Sequence, residues 1–230
     1  MGEAEITTVL FDAGGTLVHL DYFLLHKELR QAGISVTRRA IRQAEYASRA
    51  EIDRRTRGLA ADTDETRRRP YFTALLDQLG VDAATARRLI ERFDAAHAQA
   101  NLWRVMLPST PRILQELCDR GLRLGVVSNA DGRIAALLRQ CGIAQFFQVV
   151  IDSHFVGVEK PDPRIFHLAL AQAQARPDQA VFVGDIYGID VLGAQRAGIR
   201  PLLLDMLDCY AGVHCEKIRH LGELLTKISH

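Results

Sequence analysis

Asp12, the Ser128-Asn129 pair, Lys160, and Asp185 with Asp190 are the residues of this chain whose types and setting suit chemistry. Asp12, Ser128 and Asp185 each close or follow a short apolar run (ITTVLF, LRLGVV and AVFVG), and Lys160 lies in the loop VEKPD. Aspartate carboxylates are hard oxygen donors that suit Mg²⁺. Hydroxyl, amide and ammonium groups hold the charged oxygens of a phosphoryl or carboxylate group. Brought together, Asp12 and Asp185 could bind a metal ion while Ser128, Asn129 and Lys160 fix an anion beside it. A lone aspartate at a strand end is ordinarily a turn or a helix cap, but several polar clusters at corresponding strand ends outweigh that reading.

The elements that would position these residues follow from hydrophobic patterning. Ile6–Phe11 is a β-branched and aromatic run broken by Asp12-Ala13-Gly14-Gly15, as in a buried strand ending in a tight turn. Tyr22–Gln31, Thr37–Arg55, Glu65–Leu79 and Ala83–Gln99 have helix-forming compositions with apolar residues three and four apart. With no comparable strand signal between Val18 and Val105, they make a helical block of about 85 residues. From Pro108 the pattern alternates. Ser109 or Thr110 is placed to cap a helix running to Arg120. Strands at Leu122–Ser128, Gln148–Ile151, Ala180–Gly184 and Pro201–Leu204 then alternate with helices at Gly132–Gln140, Pro163–Gln174 and Gly188–Ala197. The expected fold class is α/β, a doubly wound, mostly parallel, Rossmann-like sheet. An all-helical cap is inserted after its first strand: residues 1–17 and 106–230 form the core, and 18–105 the cap. In such a sheet, ligands bind beyond the carboxyl ends of the strands.

Bulk properties narrow the partners. The 230 residues carry a formal net charge of +1, against a general nucleic-acid footprint. No apolar run reaches the roughly 18 residues needed to span a bilayer. The opening MGEAEITTVLFD lacks the layout of an export signal. Four cysteines form no CxxC pair, and Cys209, His214 and Cys215 lack a fourth zinc ligand, so thiols in a reducing cytoplasm are expected. No membrane or nucleic-acid partner is expected, and the chain is expected as a monomer or homodimer. The arginine-rich stretch from Arg38 to Arg69, interspersed with acids such as Glu45 and Asp53, is expected to be a solvated helical face in which one or two arginines could read an anionic substrate. Tyr71, Phe93 and Trp103 are expected to pack, and His97 to be an ordinary polar residue. Asp131 and Arg133 either line the site or start the next helix.

The chain resembles the haloacid dehalogenase-like hydrolase superfamily along nearly its whole length. FDAGGTL (Phe11–Leu17), VVSNAD (Val126–Asp131), EKPDPRIF (Glu159–Phe166) and VGDIYGID (Val183–Asp190) match its four motifs in order, and the helical insertion follows the first. The resemblance implies that Asp12 is the nucleophile, forming an aspartyl-phosphate. Asp12, the backbone carbonyl of Gly14, Asp185 and Asp190 would surround Mg²⁺, with Asp190 a ligand or an orienter. Thr16, Ser128 and the Asn129 backbone would hold the transferring group, and Lys160 would neutralise charge. The substrate implied is a small phosphorylated metabolite.

One position departs from the family. Its phosphatases carry a second aspartate, the acid and base, two residues after the nucleophile, where this chain has Gly14. Losing such a group costs roughly 10²–10⁴ in rate. Three outcomes stay open: substrates whose leaving groups need no acid, a replacement side chain (His19, His26, Glu28 or Tyr187), or a relative that has lost turnover and binds a phosphorylated ligand or a protein. Phosphonate cleavage would need Lys27 as a Schiff base, and haloacid hydrolysis would not use the metal that Asp185 suggests.

Overall fold

A computed structural model describes residues 4–56 and 64–228. The elements in chain order are β1 (Thr8–Phe11), β2 (Val18–Leu20), α1 (Tyr22–Gln31), α2 (Arg38–Thr56), α3 (Asp64–Gln78), α4 (Ala83–Gln99), β3 (Trp103–Met106), α5 (Thr110–Asp119), β4 (Arg123–Ser128), α6 (Ile134–Gln140), β5 (Phe147–Asp152), α7 (Ser153–Val156), α8 (Pro163–Ala173), β6 (Ala180–Gly184), α9 (Leu192–Arg196), β7 (Arg200–Leu204), β8 (Glu216–Ile218) and α10 (Leu224–Lys227). A six-stranded parallel sheet runs in the order β5-β4-β1-β6-β7-β8, with β1 inside it.

The continuous apolar runs arise because both faces of this sheet are covered. In β1, Val9 and Phe11 pack with Ile113, Leu114 and Leu117 of α5, Leu137 and Leu138 of α6, and Leu224 of α10. Leu10 points the other way, into Ile165, Phe166, Ala169 and Leu170 of α8 and Ala194 of α9. The same alternation splits Val181 and Val183 from Phe182 in β6. Gly125 lets the sheet close over Leu10, whose Cδ2 would lie 2.7 Å from a Cβ there.

Helices α1–α4 bury their own cluster, including Leu25, Leu29, Ile41, Phe72, Leu75, Leu89 and Phe93. The insertion is helical as expected, but its stem is not: β2 and β3 form an antiparallel ribbon in which Val18 pairs with Met106 and His19 with Val105. At three and four residues, these strands are too short to show a period in sequence. The edge strand β8 likewise shows no apolar run in sequence, with one buried residue, Ile218, in three. Asp21, Asp82 and Asp162 cap α1, α4 and α8 through side-chain oxygens. Ser109, expected as a possible cap, makes no capping hydrogen bond to α5. The expected helix Gly188–Ala197 is a π-turn over Tyr187–Val191 followed by α9. No helix among the described residues is long and apolar enough to cross a membrane.

Candidate active site

Asp12 emerges from β1 between the carboxyl ends of β4 and β6, where the strand order reverses, and its N–H donates to the Val183 carbonyl at 2.8 Å. The chain then folds tightly, Leu17 and Val18 both donating to the Ala13 carbonyl. Gly15 is required in this turn on two grounds. Its φ is +93°, and a Cβ would lie 2.4 Å from Asp185 Oδ2.

Lys160 is 1% exposed, and its Nζ donates to Asp12 Oδ1 at 2.6 Å and Asp190 Oδ1 at 2.7 Å. Its main chain is clamped by Asn129, whose Nδ2 donates to the Lys160 carbonyl at 2.9 Å and whose Oδ1 accepts from the Lys160 N–H at 2.8 Å. Asp190 is held by the backbone N–H groups of Asp185 and Ile186, which donate to its Oδ2 at 3.0 and 2.9 Å. Gly184 makes room for it, since a Cβ there would fall 2.3 Å from Asp190 Cγ. Both oxygens of Asp190 are thus engaged by protein groups.

The second cation was not singled out in the sequence. Arg49, from α2, donates through Nη1 to Asp185 Oδ2 and through Nε and Nη2 to Glu45 Oε1. Tyr22 donates to the other Glu45 oxygen at 3.0 Å, and Tyr71 donates to Oε1. One turn further along α2, Asp53 accepts from the Gly188 N–H at 2.7 Å. Glu45, Arg49 and Asp53 are 0%, 6% and 4% exposed, so this part of the arginine-rich stretch is a buried face, contrary to expectation. A signal existed: acid, base and acid recur every four residues, which aligns them on one side of a helix.

Burial dominates the electrostatics. It pushes the Asp12 carboxyl up, with Lys160 opposing, and pushes Asp185 well above the ordinary range, with Arg49 opposing. Burial also works against the charge of Lys160, yet Asp12 and Asp190 hold its pKa above the usual lysine value. Among the described residues no group of three or more His, Cys, Asp or Glu is arranged to hold a metal ion. The oxygen donors that would suit Mg²⁺ are Asp12, the carbonyl of Gly14 and Asp185, whose Oδ1 accepts from Thr16 and whose Oδ2 accepts from Arg49. Here the Arg49 guanidinium stands against Asp185 as a cation. In this cluster, among the described residues, five buried carboxylates (Asp12, Glu45, Asp53, Asp185, Asp190) stand with two buried cations (Lys160, Arg49), an excess of acidic groups that a divalent ion would help to neutralise.

Asp12, Gly14, Ser128, Asn129, Lys160, Asp185 and Asp190 all line one cavity of about 170 Å³. Thr16 does not line it; its hydroxyl is fully buried and donates to Asp185 Oδ1 at 3.3 Å. Residues expected merely to pack or to be solvated complete the wall, among them Arg49, Tyr71, His97 and Trp103, with Asp131 also present. Arg133 donates to Asp131 and to the His97 carbonyl. Of the replacement acids considered, none of His19, His26, Glu28 and Tyr187 lines the cavity, and Lys27 is exposed and away from it.

A model of the haloacid dehalogenase-like hydrolases matches residues 6–198. The chain belongs to that family. It is 38% identical over 119 residues to haloacid dehalogenase-like hydrolase domain-containing protein 3 of Xenopus laevis, covering 52% of this chain and 47% of that protein. It is 34% identical over 142 residues to a phosphoserine phosphatase of Thermus thermophilus, covering 60% and 54%. The chain thus spans about half the length of these relatives. The crystal structure of a HAD phosphatase from Thermococcus onnurineus superposes with a TM-score of 0.61 at 24% identity, covering 97% of this chain and 98% of that one. This likeness extends to the parallel sheet and the helical insertion.

Proposed function

We propose that this haloacid dehalogenase-like chain is a Mg²⁺-dependent phosphohydrolase of the cytoplasm, acting on a small phosphorylated metabolite with Asp12 as nucleophile. The observation that carries this reading is Lys160, a buried ammonium 2.6 Å from Asp12 and 2.7 Å from Asp190 at the cavity wall. A fixed cation beside the nucleophile stabilises charge that spreads over the equatorial oxygens during phosphoryl transfer, with no reorganisation at the moment of reaction. Relatives named as phosphatases point the same way.

In this reading, Asp12 attacks phosphorus while Lys160 favours its ionised form against burial and takes up developing charge. Ser128 and the Asn129 backbone orient the phosphoryl oxygens, and the Asn129 side chain sets the Lys160 backbone. Asp190 holds Lys160 and the start of the Asp185 loop. Thr16 acts through Asp185. Asp12, the Gly14 carbonyl and Asp185 would hold Mg²⁺, which supplies further charge neutralisation. Residues 18–105 act as the cap and residues 1–17 and 106–230 as the core, α2 closing the site from the cap side.

The test is inorganic phosphate release from a panel of phosphate esters and acyl phosphates, with Mg²⁺ or EDTA, for the wild type and Asp12→Asn. Release should require both the metal and Asp12, falling at least ~10³-fold without either. Silence across the panel from folded, Mg²⁺-binding protein would favour the second reading that Gly14 supports, a relative that binds a phosphorylated ligand without turning it over.

A further inference from the structure

Deepening that reading, the geometry points to a substrate whose phosphoryl group is carried by an aryl or acyl oxygen, a leaving group that departs as an anion without receiving a proton. The first observation is what stands opposite Gly14. A Cβ built there would lie 3.6 Å from Cδ1 and Cγ of Trp103, so an indole occupies the neighbourhood of the residue that would carry the acid. Tyr71 lies beside it, with ring centroids 5.6 Å apart and planes tilted by 52°. Ile52, Ile134, Leu137 and Ile189 extend the apolar wall. Such a surface suits a flat or hydrophobic group better than a polyhydroxylated alcohol.

The second observation is that the titratable groups on the cavity wall already have partners. Asp185 is paired with Arg49, and both oxygens of Asp190 are taken. Asp53 accepts from the Gly188 backbone, and the Tyr71 hydroxyl donates to Glu45. His97 accepts at Nδ1 from the Leu102 N–H, and its Nε2 lies 3.4 Å from Asp131, which is itself paired with Arg133. Arg68 is paired with Asp94. Among the described residues of the wall, none stands free as a proton donor beside Gly14.

The steps balance without such a donor. An Asp12 oxygen bonds to phosphorus, the bond from phosphorus to the leaving oxygen breaks, and its electron pair departs with a phenolate or carboxylate. Water then attacks phosphorus, the bond to Asp12 breaks with its electrons returning to the carboxylate, and the water proton passes to solvent. Among the described residues no side chain waits to take that proton, so the second step is slow and the aspartyl-phosphate accumulates.

The experiment follows phenol release in the first turnover, in Mg²⁺, from phenyl phosphates of graded phenol acidity. Cyclohexylmethyl phosphate, compared by alcohol release, serves as an alkyl ester of matching size. The expected result is a burst near one equivalent for the acidic phenols and a first turnover at least ~10²-fold slower for the alkyl ester. Gly14→Asp, whose Cβ fits at ordinary contact distance from Trp103, should narrow that gap by about 10-fold or more and shrink the burst. Aryl and alkyl esters turned over alike, without a burst, would overturn the inference and leave the phosphohydrolase reading standing. No release from any ester or acyl phosphate by folded protein would sink both. If Gly14→Asp fails to fold, the wild-type series alone decides.

Discussion

Lys160 and Arg49 bring positive charge to the same carboxylate cluster, one from a loop of the parallel sheet and the other from a helix of the insertion. Lys160 is fixed by core elements alone, its main chain clamped by Asn129 and its ammonium shared by Asp12 and Asp190. Arg49 is anchored to its own helix through Glu45 and stacks 4.4 Å from the Tyr46 ring centroid, but reaches the core through Asp185. Of these two cations, one is therefore permanent and the other depends on where α2 sits. Asp53 reinforces the docking of α2 through the Gly188 N–H.

The permanent cation should resist substitution least. Lys160→Met leaves Asp12 and Asp190 buried without their shared ammonium, and removing one partner of a buried ion pair typically costs about 3–5 kcal/mol. Urea unfolding should show a loss of that size, with phosphate release abolished. Mg²⁺ should restore little of the stability, because the Asp190 oxygens face backbone donors and the lost cation. Full recovery by Mg²⁺ would show that Lys160 is as replaceable as Arg49.

The same division explains what could be read from the sequence. Asp12, Ser128 and Asp185 follow or close short apolar runs, Lys160 lies in the VEKPD loop beyond β5 and α7, and a parallel sheet brings strand ends together whatever the loop lengths. The central strands were legible because β1, β4 and β6, covered on both faces, are mostly apolar. Arg49 was not legible as a site residue, because α2 also carries Arg38, Arg39, Arg42, Arg54 and Arg55 and composition does not say which face docks. The Glu45-Arg49-Asp53 spacing marks one face, but burial of that face is a tertiary fact. Trp103 was expected to pack, and it does so against Tyr71 and Phe72. Its approach to Gly14 depends on the β2–β3 ribbon, whose short strands gave no signal.

The conditional cation should behave differently. Arg49→Gln in EDTA should cost about 2 kcal/mol, less than the loss at Lys160, because Glu45 keeps the Tyr22 and Tyr71 hydroxyls and Asp185 keeps Thr16. Mg²⁺ should recover most of it, since a ligand bound to the folded state alone stabilises by mass action. Calorimetry should show tighter Mg²⁺ binding in Arg49→Gln than in wild type, because no guanidinium must leave Asp185. Weaker binding would mean that Arg49 supports the metal site and does not compete for it.

The smallest effect lies at the stem. His19 is buried with its Nε2 unpartnered, and its pKa is pushed down to about 4, by burial first and then by the Arg49 charge, with Glu45 opposing and Arg42 adding slightly. The unfolded chain titrates this histidine near its ordinary 6.5, so between those values it binds more protons than the folded chain. Stability should therefore fall as the pH drops through that window, the His19 share reaching about 1 kcal/mol near pH 5.5. The difference between wild type and His19→Leu in urea midpoints across pH isolates that share from the carboxylates. In an Arg49→Gln background the share should shrink, because one of the two charges opposing protonation is gone. An unchanged share would assign the shift to burial alone and remove the electrostatic link between the stem and the Arg49 side of the site.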